Sequence, residues 1–290
     1  MQSQILPGII KTNHLKGSLI KYFFKNQIVS TSIKSSFEAI LSVFNIRLLI
    51  ILLETIFIYF LYKNYQINFN IDFTIMSIAI VFPLVFSITS AYQRRQDAIN
   101  SYLEFRNKII DLTNVFYAVE NVQKKDYVKL FGSLEEIQSL LNDYLTKEND
   151  EKDFDKIRSK RKEVLLIIDS YKKLFNEREK DSLIRIKNEL FLSAEKIRGI
   201  KIHGTPISLK KYCLIFIYFS PLLYNSHSFV NSNSLKLENF MPLLFVMVVS
   251  FVLMALYNIQ DYIENPFDQK GLDDLKIDKL KVNKIENLFN

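Results

Sequence analysis

Residues 73–106, FTIMSIAIVFPLVFSITSAYQRRQDAINSYLEFR, constrain the fold more than any other stretch of the chain. The segment opens as an apolar helix, passes through Ser, Thr and Tyr, and enters a basic amphipathic helix with no turn signal between. It holds no Gly, and Pro83 is its only breaker. Ile78, Phe82 and Phe86 lie four residues apart on one strip. Four helical residues rise about 6 Å and turn about 400°, so the strip drifts only about 40° per step. The three side chains are expected to point roughly the same way at successive depths, as the lining of a pore would. From spacing alone, core packing is the ordinary explanation of such a stripe. The rest of the chain has to decide between them.

The 290 residues are 49% apolar and 24% charged, but the two classes are segregated: long uncharged runs alternate with dense Lys/Glu/Asp stretches. That pattern fits a membrane protein with a substantial water-exposed part. The 24 Phe and 15 Tyr argue against disorder. A net charge of +7 suits anionic lipid, an anionic solute or nucleic acid, without choosing among them. The single cysteine, Cys213, rules out an intrachain disulfide framework and a Cys-based zinc site; in its apolar segment it reads as a buried, inert thiol. Residues 1–30 carry Lys11, Lys16, Lys21 and Lys25 among short apolar pieces and do not read as a signal peptide.

The chain divides into five stretches. Residues 1–45 are a polar-basic segment, with a surface helix expected over 32–44 presenting Ile33, Phe37, Ile40 and Phe44. Residues 46–92 hold two spanning candidates, 46–62 and 73–92. Glu54 sits in the middle of the first and should face protein or water; Pro83 should loosen the second. Residues 93–209 read as a helical block with stripes Leu130/Leu134/Ile137/Leu141/Tyr144, Val164/Ile168/Tyr171/Phe175 and Leu183/Leu190/Ala194/Ile197. A charged linker is expected over 146–156 and a helix stop at Lys196, Arg198 and Gly199. Residues 210–258 hold two more spans, 210–224, which is short and contains Pro221, and 242–257. Residues 259–290 form a tail. The loops 63–72 and 225–239 carry one Lys each, whereas the two ends and the middle block are rich in Lys and Arg. This bias places both termini and the helical block in the cytoplasm, with four crossings of the cell membrane.

Three segments sharpen this outline: FSITSAYQRRQDA (86–98), GTPIS (204–208) and IENPF with LDDLKID (263–267 and 272–278). Together they resemble the bestrophin family, in particular its short bacterial members. In that family the second helix ends in Phe-Arg-x-Asn-x-Ala-Tyr-x-Arg followed by aromatics and a Glu. Here Phe86, Ala91, Tyr92 and Arg94 match, Asp97 stands for the Glu, and Ser87 and Thr89 replace the Arg and Asn. The Thr-Pro-Ile-Pro turn before the third span is Thr205, Pro206, Ile207 and then Ser208. The C-terminal signature reads Ile263, Glu264, Asn265, Pro266 and Phe267, with Asp268 where Gly is usual.

The resemblance, over residues 20–290, implies an all-α membrane protein: four transmembrane helices and a cytoplasmic helical block, assembled as a homopentamer around a central pore. It implies a narrow hydrophobic neck at Ile78, Phe82 and Phe86 and a second constriction at Ile207. The acidic calcium-binding run of eukaryotic members is not reproduced at Asp268, Gln269, Lys270 and Gly271, so no metal and no cofactor is expected. Tyr92, Glu264 and Asn265 read as structural, with Arg94 a candidate partner for Glu264. The permeant ion is expected to be a small monovalent anion such as chloride, because Arg94, Arg95 and the basic block raise local anion concentration. A cation-selective relative is the alternative, and a membrane-anchored helical scaffold is the competing class. An enzyme is not expected: His14, His203 and His227 are far apart, with no phosphate loop or nucleophile motif. Nucleic acid is not expected either, because the basic residues are mixed with acids rather than gathered in one stripe.

Overall fold

A computed structural model describes residues 44–65, 73–119, 123–147, 151–171, 173–229, 240–269 and 274–282. Seven α-helices are described: α1 Ile46–Tyr65, α2 Phe73–Tyr117, α3 Lys124–Thr146, α4 Glu151–Ser170, α5 Glu177–Ile202, α6 Ile207–Phe229 and α7 Met241–Ile263, followed by a 3-10 turn, Ile277–Leu280. The described residues contain no strand. The helix expected over 32–44 falls, apart from Phe44, outside the described residues.

α2 organises the molecule. It runs unbroken for 45 residues, about 68 Å of helix, and carries two separate cores. Its first half joins α1, α6 and α7 in an apolar bundle around Leu48, Ile51, Ile80, Leu84, Ile217, Val246, Leu253 and Met254. Cys213, 1% exposed, belongs to this core. Its second half joins α3, α4 and α5. There Ala98, Tyr102, Phe105, Ile109, Leu112 and Phe116 alternate by four and three residues and are all buried, the spacing of a coiled-coil seam. They pack with the three predicted stripes into one core. In the apolar bundle, α1 and α2 each pack on α6 and α7, which lie between them.

Both internal prolines are accommodated by a neighbouring hydroxyl. A proline cannot donate to the carbonyl four residues before it. The Ser220 hydroxyl donates to Ile217 O at 2.7 Å, taking the place of the N–H that Pro221 lacks. The Tyr212 hydroxyl donates from α6 to Ala79 O at 3.4 Å, the carbonyl that Pro83 leaves free. The short span expected over 210–224 is therefore a 23-residue helix, Ile207–Phe229, that continues through its proline. A polar clasp crosses the same bundle: Thr55 Oγ1 lies 3.2 Å from Ser250 Oγ, and Asn225 Nδ2 donates to Thr55 O at 3.5 Å.

Two boundaries differ from the sequence reading. The linker expected over 146–156 is shorter, because Glu151 and Asp153 suit the positive first turn of α4 and Phe154, 1% exposed, packs into the core. Gly199 does not stop α5, which continues to Ile202; the reason lies in Arg94, described below. The described part of the tail packs into the helical block, where Phe267, Leu275 and Ile277 are buried in its core. Gln138 holds it there, accepting from Val282 N at 3.0 Å and donating to Leu280 O at 3.4 Å. By length and composition, two helical stretches among the described residues are apolar enough to cross a membrane: one within residues 177–225, whose apolar part is α6, and Met241–Ile263.

Candidate functional site

The outer face of α2 is set by helical periodicity. Ile80, Leu84, Ser87 and Ala91 are buried against α6 and α7, whereas Ile78, Phe82 and Phe86 turn the other way and are 59%, 60% and 52% exposed. The Phe82 and Phe86 rings stack edge to face on this outer wall, with centroids 4.6 Å apart. They are not part of the chain's own core. Ile207, at the start of α6, is also exposed, and Pro206 is exposed beside it. Asp97 lies further along the outer face of α2 and is exposed as well.

Three motif residues, Arg94, Thr205 and Glu264, converge at the point where α2 leaves the apolar bundle. Arg94 Nη1 is 2.9 Å from Glu264 Oε1 and donates also to Glu264 O at 2.9 Å. Its Nε donates to Ile200 O at 3.0 Å and its Nη2 to the Ile200 and Lys201 carbonyls. These are C-terminal carbonyls of α5, which have no partner within their own helix. One arginine on α2 thus caps α5 beyond Gly199 and holds α7. Glu264 in turn accepts from Thr205 N at 2.6 Å, from Thr205 Oγ1 at 2.7 Å and from Gln260 Nε2 at 3.2 Å. Burial pushes its carboxyl up, but the Thr205 bonds, with Lys210 and Arg94 nearby, outweigh that and hold it below the ordinary carboxylate value. Lys201 extends the junction: its ammonium lies over the Tyr144 ring and donates to Tyr144 O, and to Leu145 O and Lys147 O at 3.0 Å, closing the C-terminus of α3.

Tyr92, expected to be structural, lies outside this junction and is 53% exposed. Two residues on a helix are separated by about 200°, so Tyr92 and Arg94 face opposite ways. Asn265 acts locally, its Oδ1 accepting from Phe267 N at 3.4 Å; Pro266 O accepts from Leu275 N at 2.9 Å; and Phe267 is fully buried. A second charged group escaped the sequence reading. Asp261 is bonded to Arg47 of α1 at 3.0 Å and to Lys210 of α6 at 3.1 Å. Arg47 lies at the edge of an apolar run, and nothing in the sequence joins it to Asp261.

Gly204 is placed by the same junction. A Cβ there would lie 2.8 Å from Glu264 Oε1 and 3.2 Å from Arg94 Nη1. Both atoms are pinned by several hydrogen bonds and cannot withdraw cheaply. Gly204→Ala is expected to cost about 1–3 kcal/mol, read as a lower thermal unfolding midpoint in detergent. A midpoint equal to wild type would show the junction to be looser than its geometry.

Solved structures share this architecture. The crystal structure of a bacterial bestrophin homologue from Klebsiella pneumoniae, phased on zinc, matches with a TM-score of 0.68 at 15% identity, covering 81% of this chain and 93% of that one. A single-substitution variant of a Klebsiella pneumoniae bestrophin homologue matches with a TM-score of 0.68 at 14% identity, covering 81% and 91%. The chain has the bestrophin fold. No family profile and no curated protein sequence matches it. The three segments that resemble bestrophin motifs are thus the segments this bestrophin fold draws together, since Arg94, Thr205 and Glu264 come one from each.

Proposed function

We propose that the chain is one subunit of a bestrophin-like ion channel and not an enzyme. Five copies assemble in the cell membrane, with α1, the first half of α2, α6 and α7 crossing it and both termini in the cytoplasm. The first half of α2, residues 73–94, is about 33 Å long, close to the thickness of a bilayer's hydrocarbon core. The observation that carries the reading is the outward, unpacked position of Ile78, Phe82 and Phe86 on the one helix that runs through both halves of the protein. α1 stands on the far side of α6 and α7 with its own apolar face of Leu49, Leu53, Phe57 and Phe60 exposed, as a lipid-facing helix would. With α1 outermost, α2 is left to face the axis.

Five apolar strips around an axis give an ion no replacement for its water, so the neck gates by dewetting and conducts when it widens. Ile207 supplies a second narrowing on the cytoplasmic side. The cargo is a small monovalent ion. The expectation of chloride leaned on Arg94 and Arg95 as well as on the basic block. Arg94 is engaged by Glu264 and the end of α5, its side chain only 13% exposed. Because ordinary salt screens charge beyond about 8 Å, the wall of the passage outweighs the overall charge of +7.

Purified protein reconstituted in planar bilayers tests the proposal. The expected result is unitary current from an assembly of about five times the 34.2 kDa of one chain. A membrane-anchored scaffold would give neither the current nor the five-fold mass.

A further inference from the structure

α4 and α5 run antiparallel and are laced together along one edge. Arg198 meets Glu151 at 2.8 Å, Arg158 meets Glu195 at 2.7 Å, and Arg161 Nη2 donates to Asn188 Oδ1 at 3.1 Å. Inside this lacing lies a cavity of about 350 Å³, within the range of about 300–1,000 Å³ usual for small-molecule sites. Its floor is the core itself, since Phe154, Ile157 and Phe191 line it and are buried. Its rim is polar, formed by Arg158, Arg161, Asn188 and Glu195.

The charges at the two ends of this cavity are unequally matched. Arg158 is neutralised by Glu195 and by Asp155 at 3.1 Å. Arg161 has no ion pair among the described residues; its guanidinium donates to the neutral Asn188 amide. Directly before Asn188 comes Lys187, only 5% exposed and with no hydrogen bond or ion pair among the described residues. A lysine is almost never buried so far without a partner, because an unpaired charge out of water is costly. Burial pushes its ammonium below the ordinary lysine value, Arg161 pushes the same way, and Asp169 opposes them without forming an ion pair. The influence of Arg161 puts both cations at one end of the cavity. A lysine with a buried stem keeps its head towards the nearest opening, here the opening that Arg161 lines.

We propose that the cavity between α4 and α5 binds a small organic monocarboxylate, with the carboxylate between Arg161 and Lys187 and the apolar body on Phe154, Ile157 and Phe191. Two cations against Asp169 leave one positive charge to balance, which sets the charge of the ligand. The guanidinium fork suits a carboxylate, and the ammonium adds a second charge-assisted bond. An inorganic anion would satisfy the cations but leave the apolar floor in water. The site lies away from the outer face of α2, so it stands whether or not the chain conducts.

The test is calorimetric titration of the assembled protein in detergent with benzoate, benzyl alcohol and inorganic phosphate. Benzoate should bind saturably, once per chain, and the other two at least roughly tenfold more weakly. Lys187→Met and Arg161→Gln should each weaken benzoate roughly tenfold or more. Both are expected to fold, because Met keeps an apolar stem of similar length and Arg161 is exposed. The chain has no Trp, so Leu192→Trp, on an exposed residue of the cavity wall, gives a single indole whose emission should change with benzoate. No benzoate binding, affinity indifferent to both substitutions, benzyl alcohol bound as tightly, or an unmoved indole emission each overturns the proposal. Loss of the assembly in Lys187→Met or Arg161→Gln would give the missing carboxylate to a neighbouring subunit and overturn it as well.

Discussion

Phe82→Ala raises ion flux through reconstituted protein by roughly tenfold or more, because tenfold requires a barrier lower by only about 1.4 kcal/mol. Phe82 is 60% exposed, and its ring meets Phe86 edge to face at 4.6 Å. In the proposed pentamer, removing it from every subunit widens the apolar neck and eases its wetting. Fold stability should hardly change, since the side chain is not in the core. Leu84→Ala is the informative control. Leu84 is two residues away and fully buried on the opposite face, so its truncation should cost about 2–5 kcal/mol of stability and leave the neck diameter alone. Stopped-flow dye quenching in liposomes separates the two. Wild-type flux through a fully assembled Phe82→Ala protein would remove the case for a neck at this face.

Glu264→Ala is expected to have the largest effect on stability, about 3–5 kcal/mol, the range for removing one partner of a buried ion pair. The Arg94 guanidinium, 13% exposed, would lose its counter-charge, and Thr205 would lose the acceptor of both its bonds. The junction of α2, α5, α6 and α7 should loosen together, seen as a lower unfolding midpoint and loss of the intact assembly in size-exclusion chromatography. Arg94→Lys should be harmful too, because an ammonium cannot reach Glu264 and the two α5 carbonyls from one plane. The pH dependence has a definite sign. The Glu264 carboxyl is held below its ordinary value, so its contribution is complete above the unfolded carboxylate value of about 4.3 and is lost as pH falls through the lower, folded value. Wild type should therefore lose stability in acid over that interval, and Glu264→Ala should show a shallower loss there. Parallel curves for the two proteins would mean that the Arg94–Glu264 pair contributes nothing net.

The two predictions differ in how far the sequence alone reaches them. Ile78, Phe82 and Phe86 were legible as one strip because four-residue spacing fixes a direction on any helix. The junction was legible only as three unconnected motifs. Arg94 and Glu264 are 170 residues apart, and Thr205 and Glu264 are 59 apart; no local pattern states that they meet. The misplaced end of α5 has the same origin. Gly199 weakens a helix locally, but Arg94, over a hundred residues earlier, supplies donors that let the helix continue.

Local order was thus written in the sequence itself: the alternation of apolar and charged stretches, the face each helix buries, and a helix running from Phe73 to Arg106 with no turn signal. Tertiary structure alone decided that the described part of the tail packs into the helical block and that one arginine ties the two halves together. The physical reason is that periodicity depends on neighbours one turn away, whereas the partner of a buried charge is whatever the completed packing brings within about 3 Å.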